Sequence, residues 1–169
     1  ANKVLVFSDC AVAIQPTAEE LAQIAVSTAI TARALLSIEP KVAMLSFSTK
    51  GSASHADVDK IIQATQTVRR HMPGLMIDGE LQGDTALVKA VATRKLTDSP
   101  VAGDANVLIF PALDAGNIAY KLIQYLANAQ AYGPLLQGFR KTMNDMSRGA
   151  SVEDLVAVAT ITAVKSGGS

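Results

Sequence analysis

The chain has 169 residues and a mass of 17.6 kDa, with 49% hydrophobic and 18% charged residues. A chain of this mass hides roughly 70% of its unfolded surface, enough for one good core, and a composition this apolar excludes intrinsic disorder. With 15 basic and 15 acidic side chains the formal net charge is zero, so no overall field draws the chain to nucleic acid or an anionic membrane, and any anion site must be built locally.

Lys3-Val4-Leu5-Val6-Phe7 is a short apolar run that stops at Ser8-Asp9, the pattern of a strand buried on both faces. After a loop with Pro16, Thr17-Ala18-Glu19-Glu20 has the T-x-x-E spacing of a capping box. Leu21, Ile24, Ala25, Thr28, Ala32 and Leu35 then recur on one face, predicting a helix ended by Pro40. This is also the most apolar long stretch, but Gln23, Ser27, Thr28, Thr31 and Arg33 interrupt it, well short of the ~18 uninterrupted apolar residues of a membrane span. Val42-Ala43-Met44-Leu45 predicts the next strand, and Ser46 to Ser54 is a polar turn around Gly51. Val58, Ile61, Ile62, Thr65, Val68 and Met72 keep helical spacing until Pro73-Gly74, and Leu75-Met76-Ile77 resumes as a strand running into Asp78-Gly79-Glu80. Asp84 is expected to cap a helix carrying Leu87, Val88 and Val91, and Val107-Leu108-Ile109-Phe110, closed by Pro111, is the clearest buried strand. A helix from about Ala115 to Ala127, a strand near Tyr132 to Leu136 and a helix from Ser151 to Val164 complete the pattern, with the Ser166–Ser169 tail expected to fray.

Strands that are continuous apolar runs, alternating with helices, give an α/β fold with a mostly parallel sheet and helices on both faces. Such sheets bind ligands at the carboxyl ends of their strands, here the loops Ser8–Thr17, Ser46–Ser54, Asp78–Asp84 and Pro111–Asn117. The chain enters a buried strand almost at its first residue, as though cut from a longer protein.

Asn144 to Asp154 forms a polar turn leading into the last helix. A helix N-terminus offers free N–H groups and positive dipole, so the Ser147 hydroxyl, the Arg148 guanidinium and Gly149 suit a phosphate there. The competing assignment is a surface pair for Arg148 and a turn-shaping role for Ser147. Asp154 is spaced from Ser151 as in a capping box, which leaves it either a capping residue or a general base beside the anion site. The loop around Lys50, Gly51 and Ser52 is a second candidate phosphate cradle. It lacks the G-x-x-x-x-G-K-[ST] spacing of a P-loop, and a solvated turn is its alternative. Asn117, Tyr120 and Lys121 form a polar helix face that either lines the same cleft or is simply exposed. Cys10 excludes an internal disulfide by standing alone, and reads as a buried, inert thiol. His55 and His71 read as capping or solvated residues, no metal is expected, and the absence of a signal-peptide pattern makes the cytoplasm the expected location.

Together these stretches make a denser pattern. Ser8-Asp9-Cys10-Ala11-Val12, Pro16 to Ala22, Ile38 to Ala53, Ile77 to Gln82, Ser99 to Gly103, Gly116-Asn117 with Tyr120-Lys121, Gly133 to Gly138 and Asn144 to Gly149 resemble the C-terminal half of phosphate acetyltransferases, from Lys3 to about Lys165. The resemblance implies a fold of the isocitrate/isopropylmalate dehydrogenase-like type, with residues 1–140 as the second α/β domain and 141–169 as an active-site turn and closing helix that pack on an N-terminal domain. It implies reversible acetyl transfer between acetyl phosphate and coenzyme A, giving acetyl-CoA and inorganic phosphate, with coenzyme A as a substrate and no bound cofactor or metal. It also implies that Asp154 takes the thiol proton, that Ser147 and Arg148 hold the phosphate end, and that a cleft lacking its N-terminal half is inactive alone. Departures from the family pattern fall at Gly83, Thr142 and Met146. Two other readings stay open on these residues: a non-catalytic acetyl-CoA-binding regulatory domain like that of malic enzymes, and a phosphate butyryltransferase. Alanine-rich helices that permit close packing leave a homodimer as the expected assembly.

Overall fold

The computed structural model describes residues 3–167. Ser166 and Gly167 close the last helix, and the rest of the tail expected to fray lies outside the described residues. The chain forms two compact units, one reaching to Asn117 and the other starting at Ile118.

The first unit contains β1 (Val6–Ser8), α1 (Ala18–Leu36), β2 (Lys41–Leu45), α2 (Ala56–His71), β3 (Met76–Leu81), α3 (Gly83–Leu87), α4 (Lys89–Lys95), β4 (Val107–Ile109) and the start of α5 (Leu113–Leu126). The four strands pair in parallel in the order β1-β4-β2-β3. Val107 of β4 aligns with Val6 on one side and Val42 on the other. A connection between parallel strands must cross a face of the sheet, and here α1 carries the chain from β1 past the β4 position to β2, while α2 joins the neighbours β2 and β3. Val42, Met44, Ile77, Val107 and Ile109 meet Leu21, Ala25, Ala29 and Ala32 of α1 and Ile61, Ala64 and Val68 of α2 in one buried cluster. The small residues along α1 let it pack closely on both α2 and the sheet. Each large side chain buried in this cluster stabilises the fold by about 1.5–3 kcal/mol. Alternate strand residues face the opposite way, and Ala43 and Leu108 are buried there too, where α3 contacts β2 and the Ala105 N–H donates to the Ala86 carbonyl at 3.1 Å. Burial on both faces is why these strands read as unbroken apolar runs.

The helix ends follow local chemistry. Thr17 and Glu20 form the reciprocal capping box at the start of α1, at 3.3 Å from the Glu20 N–H to Oγ1 and 2.8 Å from the Thr17 N–H to Oε2. His55 caps α2 by accepting the Asp57 N–H on Nδ1 at 3.1 Å. Four expectations are corrected. β3 runs on through Asp78-Gly79-Glu80 to Leu81, because the two carboxylates find donors inside the fold. The single helix expected around Leu87 to Val91 is two, broken at Val88, which is extended at φ −114° and ψ 107°. Asp84 does not cap it but lies in the first turn of α3, where it accepts from Lys95 at 3.0 Å. The expected strand near Tyr132 to Leu136 is only one antiparallel bridge, Leu135 to Asn144. Gly133 at φ +147° and Pro134, which has no N–H, cannot extend a ladder there.

The second unit holds the remainder of α5, α6 (Val152–Gly167) and the segment between them. Asn144 organises it, accepting the Leu136 N–H on Oδ1 at 3.0 Å and donating from Nδ2 to Thr162 of α6 at 2.7 Å. Tyr125, Leu126, Val152, Leu155 and Val156 are large apolar side chains that remain exposed. Among the described residues, no helix is long and apolar enough to cross a membrane.

Candidate functional site

Parallel pairing brings the carboxyl ends of all four strands, at Ser8, Leu45, Leu81 and Ile109, to one edge of the first unit. The expected loops therefore gather there, and the Ser46–Ser54 loop is the most tightly organised of them.

Lys50 and Gly51 both occupy the left-handed region, at φ +47° and +83°. The Gly51 N–H donates to Oε1 of Glu80 at 2.7 Å, and the Ser48 hydroxyl donates to the same oxygen at 3.1 Å. The Ser52 hydroxyl accepts the Thr49 N–H at 2.9 Å, and Thr49 Oγ1 accepts the Gln82 N–H at 3.0 Å. Lys50 pairs through Nζ with Asp78 and donates to the Gly79 carbonyl at 2.9 Å. Asp78 also accepts from Arg69 of α2 at 2.7 Å. Burial pushes the Asp78 carboxyl up, but bonds from Lys50, Ser99 and the Gly79 N–H outweigh it and hold the group below the usual carboxylate range. A cavity of about 340 Å³ opens beside these groups, lined by Lys50, Gly51, Thr65, Arg69, Gly79 and Glu80. Gly79 is required: a Cβ there would lie 2.6 Å from both Met44 Cβ and Thr65 Oγ1.

The neighbouring loop after β1 is built around Asp9, whose two carboxylate oxygens accept the N–H groups of Ala11, Val12 and Ala13 at 2.7–3.2 Å. Asn117 donates from Nδ2 to the Cys10 carbonyl at 3.0 Å. Gly116 lets the first turn of α5 approach this loop, since a Cβ would lie 2.3 Å from the Asp9 carbonyl oxygen. The Cys10 thiol is pushed up to about 12, first by burial and then by the Asp9 charge, so it is not a nucleophile at neutral pH.

In the second unit, Lys121 lies over the Tyr120 ring, with Nζ 5.0 Å from the centroid. Bonding to Tyr120 holds its ammonium above the usual lysine range. The Asn144–Asp154 turn presents Ser147, Arg148 and Gly149 on the surface. The Gly149 N–H donates to Ser147 Oγ at 3.3 Å, whereas Arg148 makes no hydrogen bond or ion pair with any described residue. Ser151 and Asp154 form a capping box: Asp154 Oδ2 accepts the Ser151 N–H at 2.9 Å and Ser151 Oγ accepts the Asp154 N–H at 3.1 Å. The backbone and then the hydroxyl of Ser151 hold the Asp154 carboxyl below its usual range. It is therefore ionised at neutral pH while its second oxygen stays available.

Among the described residues no group of three or more His, Cys, Asp or Glu side chains is arranged to hold a metal ion. The sequence reading missed Asp78, Glu80 and Arg69. The available signal was two carboxylates in the last positions of an otherwise apolar strand, which a fold tolerates only when donors meet them.

A phosphate acetyltransferase of Thermoanaerobacterium thermosaccharolyticum is 60% identical over 164 residues, 97% of this chain and 50% of its own length. One from Clostridium acetobutylicum is 56% identical over 162 residues, covering 96% and 49%. The crystal structure of a phosphotransacetylase from Streptococcus pyogenes superposes with a TM-score of 0.95 at 51% identity, over 99% of this chain and 51% of that one. The chain thus spans about half the length of the curated relatives it matches. The sequence pattern of the family described as phosphate acetyl/butaryl transferase matches residues 1–163, and the chain belongs to that family.

Proposed function

We propose that the chain carries the catalytic base and phosphate-end residues of a phosphate acetyltransferase, and that the whole enzyme interconverts acetyl phosphate and coenzyme A with acetyl-CoA and inorganic phosphate. The observation that supports this most is the turn before α6, where an unpaired guanidinium at Arg148 and a hydroxyl at Ser147 precede a carboxylate held ionised at Asp154. In this reading the free oxygen of Asp154 accepts the coenzyme A thiol proton as sulfur attacks the acetyl carbonyl carbon. A free thiol has a reference pKa of about 8.5 and is mostly protonated at neutral pH, so proton removal in the transition state is where a base contributes. The carbon–sulfur bond forms, the bond from carbon to the bridging oxygen breaks, and phosphate leaves with the electron pair, its charge offset by Arg148 and the Ser147 hydroxyl. Gly149, Lys50, Gly51, Ser52, Asn117, Tyr120 and Lys121 are the proposed further substrate contacts. The proposal includes a homodimer and a cytoplasmic location.

The test is acetyl-CoA formation from acetyl phosphate and coenzyme A, followed by thioester absorbance, for the intact protein carrying this sequence and for the 169-residue chain alone. Turnover by the intact protein alone is expected. Faster turnover with butyryl phosphate would reassign the acyl group, and acetyl-CoA binding without turnover by the intact protein would overturn the enzymatic reading.

A further inference from the structure

Glu80 is a carboxylate with 2% exposure, and it makes no ion pair with any described residue. A strand residue that served packing alone would be apolar, as Ile77 and Leu81 are, because a buried charge needs hydrogen-bond donors to be tolerated. The donors on its Oε1 come from the loop after β2: the Gly51 N–H at 2.7 Å and the Ser48 hydroxyl at 3.1 Å. The Lys50 N–H donates to Glu80's own carbonyl at 3.3 Å. The left-handed conformations at Lys50 and Gly51 belong to the type of loop that turns N–H groups inward to form an anion-holding concavity. The sequence left this loop as either a phosphate cradle or a solvated turn; in the structure the Gly51 N–H and the Ser48 hydroxyl are taken by the protein's own carboxylate. Ser48 extends the hold, because its Oγ also accepts the Ala53 N–H at 3.1 Å, so one side chain reaches both sides of Gly51 and Ser52.

We propose that Glu80 is a positioning residue, a resident anion that fixes the Ser46–Ser54 loop so that Lys50, Gly51 and Ser52 meet the substrate in one shape. The part concerning substrate rests on the acetyltransferase reading; the part concerning the loop does not. The test uses Glu80→Ala, Glu80→Gln and Ser48→Ala in the intact protein, with hydrogen–deuterium exchange over the loop, steady-state kinetics and thermal unfolding. In Glu80→Ala, exchange over residues 48–53 should quicken at least about tenfold, and kcat/KM for coenzyme A should fall by a similar factor, carried by KM rather than kcat. Glu80→Gln keeps an oxygen acceptor and should restore most of both. Unchanged loop exchange in Glu80→Ala overturns the proposal, as does a lowered melting temperature with KM unchanged, since that marks a merely structural role. Should Glu80→Ala fail to fold, Ser48→Ala decides: quickened exchange at Gly51 to Ala53 supports the proposal, and unchanged exchange overturns it. A wild-type protein with no transferase activity would refute the acetyltransferase reading, and the exchange measurements would still decide whether Glu80 locks the loop.

Discussion

Replacing Asp78 by Asn keeps the side-chain volume and removes the charge that Lys50 and Arg69 share. The Asp78 side chain is 2% exposed, while its partners are 34% and 49% exposed. Breaking a fully buried pair costs about 3–5 kcal/mol. Here both cations can regain water, so a loss of about 2–3 kcal/mol is expected, because the remaining charge is not trapped. For a domain of this size each kcal/mol moves Tm by roughly 2–4 °C, which places the Asp78→Asn protein ~4–12 °C below wild type at pH 7. The pH dependence has a definite sign. Bonds from Lys50, Ser99 and Gly79 hold the native carboxyl below its unfolded value despite burial. Its contribution is therefore fully present above the unfolded pKa of about 3.9 and is lost as pH falls through the lower native one. Thermal unfolding of both proteins by circular dichroism at pH 7, 5 and 3 should show the same gap at the first two and a smaller gap at the third. A gap below ~2 °C at pH 7, or one that persists undiminished at pH 3, would refute the reasoning.

Asp154→Asn in the intact protein should lower kcat far more than it lowers Tm, and the reverse would make the carboxylate a helix cap and nothing more. Arg148→Gln should mainly raise KM for acetyl phosphate, with steady-state kinetics showing kcat much less affected; unchanged kinetics would remove Arg148 from the site. Gly79→Ala drives a Cβ to within 2.6 Å of Met44 and Thr65, and Thr65 is itself tied to the Ile61 carbonyl at 2.8 Å. Overpacking of this kind costs about 1–3 kcal/mol, so denaturant melts should show a lower midpoint. Cys10 should resist iodoacetamide at pH 7.5 in the native protein and label readily in guanidinium, because its thiol is pushed up to about 12 by burial and Asp9.

The buried strands were legible because parallel strands covered on both faces have no choice but to be apolar, and the start of α1 was legible because Thr17 and Glu20 make a purely local bond. What escaped depended on partners far away in sequence. Asp78 and Glu80 read as loop residues because the donors that let them end a strand come from Lys50, Gly51 and Ser48, some thirty positions earlier. The Tyr132–Leu136 error has the opposite cause: its apolar residues suggest a strand, and only the backbone at Gly133 and Pro134 forbids it. At the candidate site, Ser147, Arg148 and Asp154 stood out because a polar turn before a helix is a local signature. That Arg148 is left unpaired while Lys50 is engaged by Asp78 is decided by the fold alone.

The order β1-β4-β2-β3 also sets a schedule. β4 is the last of these strands to be synthesised, yet it is the one that joins β1 to β2. While the chain grows on a ribosome, β2 and β3 can pair as soon as α2 closes between them, whereas β1 has no strand partner until Val107–Ile109 emerges. For that interval the sheet has two open edges facing an unfilled slot, the kind of surface that a neighbouring nascent chain or an aggregating copy can occupy. A stall or premature stop before Val107 would therefore leave a β2–β3 unit and a stranded β1, a species that quality control would meet as a hazard and not as a smaller version of the fold.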